Sequence, residues 1–216
     1  WTQWKAMLLN ELYEKGRNVL EQGKLKHPFE ERAFARRRQV ADWLKDEPPG
    51  EASRFLSRVD DRYIIGTPDA RFVDHCRLLA RFDGKAPIVE AIDAPGAGAS
   101  EFIVVCPDER GLFAKIAGTL SANGVNILNA SIFTTIDAAA LDTLYVNYRG
   151  KSLQGEPKKE RVTADLLAVL GGAMSVEALI AEPRVGKYVR DKVPKYRPTR
   201  VNFDNTASSV YTVVDV

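Results

Sequence analysis

Histidine, cysteine and any one-signed excess of charge are scarce in this 216-residue chain, and each scarcity removes a class of function. The two histidines, His27 and His75, stand far apart, so a hydrolytic metal site cannot be assembled from histidine alone. The two cysteines, Cys76 and Cys106, form no Cys-x-x-Cys pair. Each sits in an apolar run, reads as a small core residue, and fits a reducing compartment. A Gly-x-x-x-x-Gly-Lys-Ser/Thr phosphate loop and a Gly-x-Ser-x-Gly elbow are both missing. Lys plus Arg number 31 against 29 for Asp plus Glu, a net charge of +2. The counts are 17 against 16 up to residue 98 and 14 against 13 beyond it, so neither half gathers the positive charge of a nucleic-acid binder. No apolar run approaches the roughly 18 residues of a membrane span, and no basic-then-apolar leader opens the sequence. The expectation is a soluble, cytoplasmic chain with no catalytic residue and no metal ligand set.

What is present is ordinary globular material, 45% hydrophobic and 28% charged, enough for one large domain or two small ones. Trp1, Trp4, Leu8, Leu12 and Val19 fall on one helical stripe, with Met7, Leu9 and Leu20 beside it. The other end closes on the β-rich run 210–216. Both ends lie inside an element, so the sequence reads as a segment of something longer. Residues 1 to about 85 are helical in pattern. A second helix spans about Phe29–Lys45, with Phe29, Ala33, Val40 and Leu44 inward, and Pro48-Pro49-Gly50 ends it. Arg36-Arg37-Arg38 spread around this helix, as a solvated face or as a site for an acidic partner. Residues 46–66 give no settled pattern. Thr67-Pro68-Asp69 reads as an N-cap, a first-turn proline and a first-turn acid. The helix it opens points Phe72, Val73, Cys76, Leu79 and Phe82 inward and carries His75 as a polar or half-buried structural histidine.

Ile88–Ile92 reads as a short strand, and the small residues 94–100 as a turn or linker. From 101 onward the order is strand (101–106), helix (Leu112, Phe113, Ile116, Ala117, Leu120 inward), strand (125–135), tight turn at Ile136-Asp137, strand (139–148), then helix (Val162, Leu166, Leu167, Leu170 inward). One more strand completes a split βαβ sandwich, and 199–203 is its candidate, after a helix extension at 174–180 and a basic, Pro-interrupted stretch at 187–198. The fold class is α+β: a helical region over 1–98, a βαββαβ ferredoxin-like domain over 99–205, and at 206–216 the first strand of a second copy.

The chemistry concentrates at Asp108-Glu-Arg-Gly-Leu-Phe113. A glycine at a helix start lets the backbone approach a ligand, and the first amides of the helix suit a carboxylate. Asp108 beside them can take an ammonium group, so a free amino acid fits both charges. Asn126, opening the next strand, can donate and accept at an adjacent edge. The alternative stands beside it: Asp108 caps the helix and Gly111 serves the turn.

Asp108–Phe113, Ile116-Ala117, Leu120, Gly124–Ile127, Ala130, Thr134, Asp137 and Leu141–Val146 resemble the ACT domain, a small-molecule-sensing module of amino-acid metabolism. Together with Trp1–Lys5, Leu8-Leu9, Glu11–Tyr13, Asp61–Tyr63, His75, Thr199–Asn205 and Tyr211–Val213, they are similar to one family of its users. These are the bifunctional uridylyltransferase/uridylyl-removing enzymes that act on nitrogen regulatory protein PII, from after their hydrolase domain into a second ACT domain. The resemblance implies a glutamine-sensing regulatory region, with PII as partner through the full enzyme. It implies glutamine contacts at Asp108, Arg110, Gly111, Leu112, Asn126 and Ile127, and magnesium only in the parent enzyme. Two other readings stay open: the ACT region of a different metabolic enzyme, and a ligand-free scaffold that pairs its sheet with another ACT module. An RNA-binding sandwich is disfavoured, because the strands lack paired exposed aromatics.

Overall fold

The computed structural model describes residues 29–94, 98–153, 156–181, 202–204 and 213–215, together with Leu9, Leu12, Tyr13, Gly16 and Arg17. Most of the first helical stripe, the basic stretch 187–198 and the start of the 199–203 strand lie outside these residues. Residues up to 180 form one compact unit and the remainder another.

In the first unit α1 (Phe29–Trp43) buries Ala33 and Val40, with Leu44 just beyond it, as the spacing predicts. The unsettled stretch folds as two short helices, α2 (Glu51–Arg58) and α3 (Asp61–Gly66), the latter capped by Asp60, whose carboxylate accepts from Tyr63 N at 2.9 Å. Thr67 does not open the next helix. Its N–H closes α3 on Tyr63 O, and a 3₁₀ turn (Asp69–Arg71) then leads into α4 (Phe72–Arg81). Pro68 itself takes the cap position, with extended backbone at φ −62° and ψ 144°, so the boundary falls one residue later than a Thr67 cap requires. The arginine triplet is partly consumed internally: Arg36 pairs with Asp69, and Arg37 holds Asp61 and the carbonyls of Leu56 and Val59.

β1 (Ile88–Ala94), β2 (Ala99–Pro107), β3 (Val125–Ser131) and β4 (Ala139–Tyr148) form one antiparallel sheet in the order β1-β2-β4-β3. α5 (Leu112–Ala122) and α6 (Glu156–Leu170) cover one face, and helices α1–α4 cover the other. Period-two alternation sorts the strands between two cores. Ile103, Val105, Ala139 and Leu141 meet the α1–α4 layer, while Phe102, Val104, Cys106, Ala140, Leu144 and Val146 meet α5 and α6. β2 is buried at every position but its last because both its faces are covered, which is why it reads as an unbroken apolar run. Phe113 and Leu167, expected inward, are exposed at the rims of their helices' apolar stripes. α6 ends at Gly171-Gly172, and a separate short helix α7 (Val176–Ala181) follows. Gly118 makes room for it: a Cβ there would lie 2.6 Å from Val176 Cγ1.

The sandwich is closed differently from the expectation. The strand beside β2 is β1, which precedes the Gly-containing turn, and it fills the edge that a fourth, C-terminal strand was expected to take. Of the 199–203 candidate, the described residues lie in β5 (Asn202–Asp204), which pairs with β6 (Val213–Asp215) in a two-stranded sheet of the second unit. A hairpin needs only a short turn to bring β1 onto β2, which favours the local pairing.

Candidate functional site

The β2–α5 connection is built as the pattern requires. Gly111 sits at the N-cap of α5 with φ +83°, a left-handed conformation that glycine adopts without a Cβ penalty. No side chain caps the helix, and its first turn carries no acid. Leu112 N bonds Glu109 O at 3.1 Å, and Lys115 pairs with Glu109 at 2.5 Å. Asp108 is not the cap. Its backbone N–H donates to Ala138 O at 3.0 Å, and its carboxylate accepts from Thr134 Oγ1 at 2.8 Å. Asp108, Arg110 and Gly111 are exposed, whereas Leu112 is buried in the α5/α6 core.

Asn126 and Ile127 stand elsewhere. The register puts Pro107 opposite Ala139 at one end of the sheet, and Asn126 opposite Asn147 near the other. The 11 residues of α5 separate these ends by about 16 Å at 1.5 Å per residue. Asn126 Nδ2 lies 3.3 Å from Asn147 Oδ1, and Ile127 packs half-buried against the α5/α6 core. Within one chain, Asp108, Arg110, Gly111 and Leu112 are brought together, and Asn126 and Ile127 are not.

The pattern missed two groups at the loop end. Asp142 of β4 is sealed from solvent, accepts from Phe133 N at 3.3 Å through Oδ1, and leaves Oδ2 without a partner. Burial pushes its carboxyl up to about 7, the Phe133 amide opposes this, and the nearby Asp108 charge adds to it. The signal was in the sequence: Asp142 is in phase with the apolar Ala140 and Leu144, so it had to point into the core. Cys106, on the same face, is held protonated, pushed up to about 12 by burial and then by the Asp142 charge. The second group is the segment 134–138 itself. It touches Asp108 on one side and α2 on the other, where Ile136 N donates to Arg58 O at 2.8 Å and Arg58 Nε reaches Asp137 at 3.0 Å. A groove of about 410 Å³ opens there, lined by Arg54, Arg58, Phe82, Asp83, Asp137 and Ala138 among others.

His75 is fully buried rather than half-buried. Tyr63 Oη contacts Nδ1 at 2.7 Å and Thr143 Oγ1 contacts Nε2 at 3.1 Å. Burial, and then the Arg71 charge, lower its pKa to about 3, so it is a neutral strut between α3, α4 and β4. Arg71 Nε donates to the buried Glu101 Oε1 at 2.7 Å, and its Nη2 lies 2.7 Å from Oε2, joining the helical layer to β2. Among the described residues no group of three His, Cys, Asp or Glu could hold a metal ion, and no helix is long and apolar enough to cross a membrane.

Residues 100–147 match the ACT domain. Over its whole length the chain is similar to bifunctional uridylyltransferase/uridylyl-removing enzymes. It is 33% identical to that of Rhodospirillum rubrum, 32% to that of Gluconobacter oxydans and 30% to that of Novosphingobium aromaticivorans. It spans 23% of the length of the first two relatives and 24% of the third.

Proposed function

From a chain that carries an ACT domain and is similar along its full length to a portion of the bifunctional uridylyltransferase/uridylyl-removing enzymes, we propose that this is the regulatory region of such an enzyme, binding glutamine at the β2–α5 loop. The observation that carries this reading is the uncapped N-terminus of α5 behind an exposed left-handed Gly111, with Asp108 alongside. The backbone amides suit the α-carboxylate and the acid suits the ammonium group. In this reading the parent enzyme acts on nitrogen regulatory protein PII in the cytoplasm. The magnesium of its transferase chemistry lies in its own catalytic domain, and this region does no chemistry itself. A second ACT domain is the natural partner. Among the described residues the sheet order leaves β1 and β3 as its two edges, and a module paired along β3 would bring its own loop toward Asn126 and Ile127. Glutamine then acts by binding one domain arrangement better than another, and a coupling of about 1–3 kcal/mol shifts that balance 5- to 150-fold.

Calorimetric titration of glutamine into the chain tests this, with glutamate and a Gly111→Val variant as controls. Glutamine-specific heat lost in the variant is the expected result. Equal heats from several amino acids would refute glutamine sensing, and silence in the wild-type chain would move the site to a second ACT module.

A further inference from the structure

A buried carboxylate with an idle oxygen is an unusual thing to find beside a ligand loop, because an uncompensated charge in a core is costly and evolution readily supplies alternatives. Asp142 lies on the sheet face covered by α5, three residues along β4 from the end where Pro107 and Ala139 meet. Of the titratable groups, Asp108 in the loop acts on Asp142, and Asp142 acts in turn on Cys106 of β2, which also feels Glu109, Asp108 and Lys115. Lys115 is already engaged with Glu109, and no cation among the described residues pairs with Asp142. Two adjacent residues tie this acid to the exposed loop: Phe133 N holds Asp142, and Thr134 Oγ1 holds Asp108.

We propose that Asp142 is the inner ammonium-binding and specificity-determining residue of the loop site, its free Oδ2 taking the ligand's ammonium group once Thr134 releases Asp108. The inference rests on the glutamine-binding reading and deepens it: the ligand must carry a positive charge as well as a carboxylate. In the free protein the carboxyl titrates at about 7, so near neutrality it is about half protonated. The incoming ammonium group favours the carboxylate and expels that proton, making binding a proton-releasing event at neutral pH. In the bound state the ammonium stands where the proton stood, so the occupied site holds no bare anion.

The test is calorimetry of the chain in two buffers of different ionisation enthalpy at about pH 7. The ligands are glutamine and its analogue lacking the α-amino group, and the proteins are wild type, Asp142→Asn and Asp108→Asn. The expected result is release of about half a proton per glutamine in wild type. Asp142→Asn binds about tenfold or more weakly with no linked proton, and Asp108→Asn, which removes a charge that raises the Asp142 carboxyl, releases less than wild type without abolishing the release. The analogue binds wild type as weakly as glutamine binds Asp142→Asn. In the wild-type chain the Asp142 carboxyl carbon resonance, followed by NMR, titrates near neutrality and shifts to lower pH when glutamine is added, which covers the case of a poorly folded variant. Undiminished glutamine affinity in Asp142→Asn, or a carboxyl resonance that glutamine leaves in place, overturns the proposal while leaving the loop site standing. No glutamine heat together with an unmoved resonance in wild type removes both.

Discussion

His75 and Asp142 lie on opposite faces of the same sheet and act on stability in opposite directions as pH changes. Native His75 titrates at about 3, against roughly 6.5 in an unfolded chain. Between those values the unfolded state takes up a proton that the native state refuses. Its contribution is therefore complete above about pH 6.5 and is lost as pH falls towards 3, at about 1.4 kcal/mol per pH unit. Native Asp142 titrates at about 7, against about 3.9 unfolded. Here the native state keeps a proton that the unfolded state has lost. Its contribution is complete below about pH 4 and disappears as pH rises to 7, with the same slope and the opposite sign. From about pH 4 to 6.5 the two cancel, and the wild-type profile carries neither signature. Single variants uncover them. The stability of Asp142→Asn minus wild type should rise with pH by about 1.4 kcal/mol per unit, roughly 4 kcal/mol across the window. That of His75→Gln minus wild type should fall at the same rate between about pH 4.5 and 6.5. Urea unfolding followed by far-UV circular dichroism at several pH values gives each difference, and subtraction removes the other titrating groups they share. Profiles parallel to wild type within about 0.5 kcal/mol would show that neither group is held as its surroundings require.

Three further outcomes test the packing that positions the loop. Arg71→Ala should cost about 3–5 kcal/mol by leaving Glu101 buried beside β2 without its cation, and Arg71→Met with Glu101→Met should recover most of that; a double variant as unstable as the single would contradict the pairing. Phe102→Ala should cost about 3–5 kcal/mol in urea unfolding and Phe113→Ala less than about 0.5, since the first is sealed between β2 and α5 and the second is exposed. Gly118→Ala should destabilise the chain despite a helix-propensity gain of up to about 1 kcal/mol, because the new methyl meets Val176; a net gain would mean that α7 is not seated on α5.

Element types were legible wherever one period dominated. The inward sets of α1 and α4, that of α5 apart from Phe113, the β2 and β4 runs, the Asn123-Gly124 stop and the turn at Ile136-Asp137 follow from local chemistry. The stretch 46–66 is not, because α2 and α3 have only 8 and 6 residues and leave the period little room to repeat. Pairing was the other blind spot. Periodicity tells which face of a strand is buried and says nothing of which neighbour it meets, so the edge beside β2 was assigned to the wrong end of the chain. The loop fared better than the site: Gly111 and Asp108 stand where the motif put them, but Asn126 is near in sequence and far in space, since a helix carries the chain the length of the sheet between them.

The pairing of β1 with β2 has a consequence for where the fold can end. A βαββαβ sandwich whose last strand comes after α6 needs that strand to close the edge beside its first. Here that edge is occupied before β2 begins, and both faces of the sheet are covered by helices that lie before residue 171. A chain stopped after Ala181 therefore retains the whole four-stranded sheet, both cores and the α5 N-terminus. It should unfold in a single cooperative urea transition. It should also keep whatever affinity for glutamine the full chain has, since Asp108, Gly111 and Asp142 are all inside it. A truncated chain that binds 8-anilinonaphthalene-1-sulfonate and loses its cooperative transition would refute this, by showing that residues 182–216 complete the core after all.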